Sequence, residues 1–157
     1  MYASYFQGVQ GTEPFFIAGG QRYIRLKETE LLVNGRPLRI PVEAAGEADR
    51  PADLLLVAVK NHHLDQAVED IGSYVGEQTI LMSVMNGLDS EQVLARRYGD
   101  EHLLYAVALA MDAVRSGSET TFTSSGKLLI GRAQNRGEAD ADLQQVQQLC
   151  SSAGLDW

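Results

Sequence analysis

Three positions in the 157-residue sequence combine a polar or charged group with the end of a long apolar run: Lys60, Asn86-Gly87 and Met111-Asp112. In open α/β sheets ligands bind beyond the carboxyl ends of the strands, so placement alone makes these positions candidates. An ammonium at Lys60 can meet a phosphate or a ribose hydroxyl, although a solvated lysine closing a strand is the plainer reading and position favours it. Asn86 carries an amide that both donates and accepts, and Gly87 lets the backbone approach a ligand closely. The same pair reads equally as a turn ahead of a helix. A fourth candidate is the turn Gly19-Gly20-Gln21-Arg22. No acidic residue lies between Phe15 and Lys27 to bind a ribose 2′-hydroxyl, whereas the planar fork of Arg22 suits a 2′-phosphate. An exposed first-turn arginine in a helix over Gln21–Glu30 is the plainer account of Arg22.

Other reactive side chains lack partners at the required spacing. His62-His63 has no His-x-x-x-His companion and no carboxylate cluster at ligand spacing, so it reads as a helix start and not as a metal site. His102 precedes an apolar run without a matching motif, and Cys150 falls on an apolar helical face, where a small buried thiol is expected. No nucleophile elbow, no Gly-x-x-x-x-Gly-Lys phosphate loop and no complete Gly-x-Gly-x-x-Gly is present. Composition and spacing therefore do not by themselves establish dinucleotide binding.

The elements that would hold the candidates are legible. Leu54–Val59, Thr79–Met85 and Leu103–Met111 are continuous apolar runs, the pattern of strands covered on both faces of a parallel sheet. Leu64, Ala67, Val68, Ile71 and Val75 form one helical stripe between the first two runs. A shorter helix, capped by Asp89 or Ser90 and stopped by Gly99, joins the second to the third. The unit reads β-α-β-α-β with right-handed crossovers. A last helix starts at Asp140 or Asp142 and stops at Gly154. Strands are expected at Glu119–Ser124 and Lys127–Gly131 around Ser125-Gly126, with Arg132–Ala139 as a loop. Leu31–Val33 and Leu38–Val42 read as a hairpin through Asn34-Gly35, a type I′ pair. Helical spacing of Tyr2, Tyr5, Phe6 and Val9 precedes a strand at Pro14–Ala18. Two readings of this opening stand: a βαβ unit without its first strand, or a fold that begins with a helix.

Length and composition bound the function. Thirteen basic against 21 acidic residues leave a net charge of −8, which disfavours nucleic acid and anionic membrane surfaces as partners. One cysteine makes no internal disulfide, no 18-residue apolar run spans a bilayer, and no signal peptide opens the sequence. A cytoplasmic α/β domain over residues 1–157 is the expectation.

Taken in order, Leu-Leu-Leu-Val-Ala-Val-Lys (54–60), Met-Asn-Gly-Leu (85–88) and Gly-Lys-Leu-Leu-Ile-Gly (126–131) resemble ketopantoate reductases, with Phe15-Phe16-Ile17-Ala18 and Asp112-Ala-Val-Arg-Ser-Gly117 at compatible spacing. The resemblance implies a Rossmann-like fold, a mostly parallel sheet with flanking helices, and NADPH-dependent reduction of a small-molecule 2-keto acid to a 2-hydroxy acid. It implies that Lys60 contacts the cofactor, that Asn86 reaches both cofactor and substrate, and that a backbone contact falls near Ala113. The family's 2′-phosphate arginine follows the second strand, where this sequence has Ala18-Gly19-Gly20, so that role passes less directly to Arg22. Against the family pattern, the sequence starts after the first strand and glycine-rich loop and stops about where a helical catalytic domain begins. A partial NADP-binding domain, inactive alone and prone to form a homo-oligomer through an open sheet position, is therefore expected. A non-catalytic α/β nucleotide-binding or interaction module is the alternative.

Overall fold

Strands buried on both faces need helices above and below, and the parallel runs need crossovers long enough to supply them. The computed structural model, which describes residues 1–87, 89–134 and 140–157, has this arrangement. In chain order the elements are α1 (Tyr2–Phe6), β1 (Phe16–Ala18), α2 (Gly20–Glu28), β2 (Leu31–Val33), β3 (Arg36–Leu38), β4 (Val42–Ala44) and β5 (Leu54–Val57). They continue with α3 (Leu64–Asp70), β6 (Ile80–Ser83), α4 (Asp89–Tyr98), β7 (Leu103–Leu109), β8 (Val114–Ser116), β9 (Glu119–Thr121), β10 (Lys127–Gly131) and α5 (Ala141–Ser152).

The central sheet has the order β10-β7-β6-β5; β5, β6 and β7 run parallel, and β10 is antiparallel to β7. All four residues of β6 are buried. Alternation along the strands divides them between two cores. Ile80 and Met82 pack with Leu104, Ala106 and Leu128 under Val146 and Cys150 of α5. Leu81 and Leu103 pack on the opposite side with Leu64 and Val68 of α3 and Leu94 of α4. The α/β architecture expected from the apolar runs is present, and it is the Rossmann-like fold that the resemblance implies.

Two pairings differ from the sequence reading. The Asn34-Gly35 turn forms, with φ of 48° and 73°, but it joins β2 to Arg36–Leu38; Val42 belongs to β4, which pairs in parallel with β1 in a separate sheet. Glu119–Ser124 and Lys127–Gly131 do not form a hairpin. β9 joins β2 and β8 in a third sheet, whereas β10 lies against β7. Gly126 decides that geometry, because a Cβ there would stand 2.1 Å from the Leu109 carbonyl oxygen. Asp140 caps α5 by accepting the Leu143 N–H at 2.9 Å, as its side chain permits. The expected loop over residues 132–139 lies outside the described residues from 135 onward.

β1 and β5 each end a sheet, and an open cavity of about 1940 Å³ separates them, lined by Phe15, Ile17, Leu54, Leu56, Tyr2 and Leu149 among others. Tyr74 bridges the two sheets. Its hydroxyl donates to the Ala44 carbonyl at 2.8 Å, and its own carbonyl accepts the Ala52 N–H at 2.8 Å. Burial first, and the Glu43 carboxylate second, push the Tyr74 phenol up to about 12. A raised folded-state pKa means stability present below the unfolded value near 10 and lost as pH climbs through about 12. Tyr74→Phe is therefore expected to cost roughly 1 kcal/mol at neutral pH. It should also reduce the loss of melting temperature between pH 10 and about 12, leaving the part that the raised Tyr2 and Tyr98 phenols contribute, a comparison that thermal scans across that window make directly.

Candidate functional site

Parallel register sets the candidates side by side. Val57 of β5 pairs with Ser83 of β6, and Ser83 pairs with Tyr105 of β7. Lys60 lies three residues past Val57 and Asn86 three past Ser83, so both stand beyond the carboxyl ends of adjacent strands. Both are exposed, and neither side chain makes a hydrogen bond among the described residues. The Lys60 carbonyl accepts the His63 N–H at 2.8 Å, which starts the turn leading into α3. Gly87, at φ 97°, takes a backbone conformation suited to glycine just before α4; Leu88 of the same motif lies outside the described residues.

The turn at Asn86 is anchored from below by a relay that the sequence reading missed. Met85 N–H donates to Ser83 Oγ at 3.3 Å, Ser83 and Ser90 hydroxyls meet at 2.8 Å, and Ser90 donates to Glu91 Oε2 at 2.8 Å. Ser90 gives its only proton to the carboxylate, so the Ser83–Ser90 contact carries the Ser83 proton. All three hydrogen bonds thus point one way, toward Glu91, and Ser83, Ser90 and Glu91 are buried. A lone serine inside the apolar run Thr79–Met85 was the available signal. Ser90 is engaged in this chain and does not serve as a cap.

Ala113 is exposed beyond the end of β7. Its neighbour Asp112 clamps the connection between β9 and β10, accepting Thr123 N–H at 2.9 Å, Ser124 N–H at 2.8 Å and the Thr123 hydroxyl. The Thr123 hydroxyl, followed by the Ser124 and Thr123 amides, holds the Asp112 carboxyl below the usual carboxylate range. Arg22 belongs to another part of the molecule. It is exposed on the first turn of α2 and lines the large cavity, which Lys60, Asn86 and Ala113 do not. The structure thus groups Lys60 with Asn86 and leaves Arg22 on the β1 side.

His62 and His63 lie in a short 3₁₀ turn with ring centroids 4.1 Å apart, and His102 Nδ1 meets the Thr79 carbonyl at 2.8 Å. Cys150 is buried on the core face of α5, and burial pushes its thiol pKa up. Among the described residues, no helix is long and apolar enough to cross a membrane.

Residues 1–135 match the family model for ketopantoate reductase PanE/ApbA. The chain belongs to the ketopantoate reductase family. A 2-dehydropantoate 2-reductase of Streptococcus pyogenes is 34% identical over 80 residues, which cover 49% of this chain and 26% of that protein. An uncharacterized oxidoreductase of Bacillus subtilis is 22% identical over 125 residues, 77% of this chain and 41% of its own length. Among solved structures, 2-dehydropantoate 2-reductase from Geobacter metallireducens superposes with a TM-score of 0.80 at 22% identity, over 99% of this chain and 52% of that one. D-mandelate dehydrogenase, solved with NADH and anilino(oxo)acetate, superposes with a TM-score of 0.81 at 20% identity, over 99% and 51%. The chain thus spans about half the length of these structural relatives.

Within this family member, Ser83→Ala should release the Met85 amide while leaving the Ser90–Glu91 pair intact. The expected outcome is an amide exchange rate at Met85 raised about tenfold, above the rise at Leu81 and Met82, which follows the global stability cost of roughly 1 kcal/mol. Residue-resolved hydrogen exchange by NMR gives both quantities.

Proposed function

We propose that this chain is the dinucleotide-binding part of an NADPH-dependent 2-keto acid reductase, the whole protein converting ketopantoate to pantoate. The observation that carries the reading is the register-level juxtaposition of Lys60 and Asn86 beyond β5 and β6, in a chain of this family. The donor set fits the group. Two exposed cations, an unpartnered amide and exposed backbone at Ala113 suit phosphates, ribose hydroxyls and a carboxamide. When bound, the reduced nicotinamide supplies a hydride.

In this reading Lys60 holds the cofactor ribose and phosphate by charge and hydrogen bonding, and Arg22 takes the 2′-phosphate. Asn86 donates to the keto acid with one end of its amide and accepts from the cofactor with the other, fixing the distance between them. The relay through Ser83 keeps the Asn86 turn from moving as the ligands bind. Ala113 offers backbone to the nicotinamide side. The proposal assigns binding and orientation to these residues and proton delivery to a group outside the 157 residues, so the chain alone binds without turnover.

Calorimetric titration with NADPH tests the assignment. Lys60→Ala should weaken binding about tenfold, the loss of one charge-assisted contact. Lys127→Ala, on the far strand of the sheet, should leave affinity unchanged. No heat of binding in the unmodified protein, or equal affinity in Lys60→Ala, counts against the reading. Ketopantoate-dependent NADPH oxidation by the 157-residue protein would overturn the assignment of proton delivery.

The proposal extends to assembly. Asp53 and Val57 give their carbonyls to Ile80 and Val84 of the β6 side, so by the period of two Leu54 and Leu56 turn their backbone groups toward the cavity. Phe16 and Ala18 are likewise bonded to the β4 side, which leaves Ile17 facing the same space. Two open edges favour pairing with a second copy. Light scattering at rising concentration should show a dimer or larger species; a monodisperse monomer at high concentration refutes this extension.

A further inference from the structure

Dinucleotide folds read the adenosine ribose with a side chain at a strand end, an acid for the 2′-hydroxyl of NADH and an arginine for the 2′-phosphate of NADPH. At the end of β1 that place is held by Gly19, which has no side chain to offer. The space is occupied from elsewhere. A Cβ on Gly19 would stand 3.4 Å from Asp70 Oδ1 and 3.6 Å from Asp70 Oδ2, with Ala45 Cβ at 3.3 Å on the other side. Asp70 thus presents its carboxylate beside β1 from the last residue of α3, fifty-one positions later in sequence.

The carboxylate is held in place. Gln66 Nε2 donates to Asp70 Oδ1 at 2.8 Å, and the Asp70 carbonyl accepts the Gly46 N–H at 3.3 Å beyond the end of β4. Asp70 is half-buried and makes no ion pair among the described residues. Gly19, Gln21, Arg22 and Asp70 all line the same open cavity. An anchored acid without a counter-charge and an exposed guanidinium therefore flank one strand end.

We infer that Asp70 is a specificity-determining residue, accepting a hydrogen bond from the ribose 2′-hydroxyl of NADH and repelling the 2′-phosphate of NADPH in opposition to Arg22. The inference rests on the dinucleotide-binding reading above. A 2′-phosphate carries about two negative charges, and within a few ångströms of a second anion that repulsion is worth more than tenfold in affinity. The opposing cation offsets it, so the protein should bind NADH and NADPH with affinities within about tenfold of each other.

Parallel titrations of the 157-residue protein with NADH and NADPH decide the matter. Asp70→Asn keeps the size and an acceptor for Gln66; it should tighten NADPH, weaken NADH and move their ratio about tenfold toward NADPH. Arg22→Ala should move the ratio the other way, and Asp70→Glu should retain the original preference. Asp70→Ser serves in place of the asparagine variant if that variant melts below the working temperature. Binding retained with an unchanged ratio in the Asp70 variants overturns the inference and leaves the nucleotide reading standing. Absence of binding by either nucleotide to the unmodified protein overturns both.

Discussion

The parallel register Val57–Ser83–Tyr105 is the constraint from which the rest of the molecule follows. Because the side-chain period of a strand is two, that register commits Leu81 and Leu103 to one core and Ile80, Met82 and Leu104 to the other. A slip of one residue would exchange the two sets and bury Ser83 among aliphatic side chains without Ser90 to receive its proton. The same register aligns the strand ends, and thereby places Lys60 beside Asn86. Packing and chemistry are therefore consequences of one alignment.

The sheet of β1 and β4 is attached more lightly. No backbone ladder joins β1 to β5; side chains and isolated hydrogen bonds do so instead, through Tyr74 to Ala44, Tyr74 to Ala52 and Asp70 to Gly46. α3 and the turn that follows it carry these contacts. Lys60 stands just before α3 and Asp70 ends it, so this one helix relates the charged groups at the end of β5 to those at the end of β1. A perturbation of α3 should be felt at both positions. The open backbone of Leu54, Leu56 and Ile17 marks the cost of this arrangement, since no other strand among the described residues bonds to it.

Local features were legible in the sequence where local physics decided them. Continuous apolar runs gave the three parallel strands, Asn34-Gly35 gave the turn, and Asp140 and Gly154 bracketed α5 as capping chemistry requires. What escaped was decided by contacts between distant segments. Arg36–Leu38 displaced Leu38–Val42 as the hairpin partner because a two-residue turn fixes the register immediately beside it, freeing Val42 to pair with β1. Glu119 joined β2 because the Asn34 side chain bonds the Phe122 backbone at both ends of its amide, a link across 88 residues. No acid lies between Phe15 and Lys27, and the acid beside Gly19 comes from residue 70. Of the candidate site, the strand-end rule marks Lys60 and Asn86 as candidates; Asp70 and the Ser83–Ser90–Glu91 relay have no local pattern strong enough to mark them.

The candidate site shares a mechanical character across its three strand ends. Beyond β6, a buried serine relay grips Met85; beyond β7, Asp112 accepts three hydrogen bonds from Thr123 and Ser124, and Gly126 lies against the Leu109 carbonyl. Beyond β5, the Lys60 carbonyl is tied into the turn that starts α3. In each case the backbone is held and the outward groups, Asn86, Ala113 and the Lys60 ammonium, are left exposed. Rigid backbone with free polar termini is what a binding edge needs, because ordering costs are met in folding and not at each encounter with ligand. The β1 end follows the same logic by other means: Gly19 contributes only backbone, while Asp70, fixed by Gln66 and Gly46, provides the side chain. A function that required only a packed α/β domain would have no use for polar groups exposed at these strand ends and held from behind. That shared construction favours ligand binding over a purely structural role.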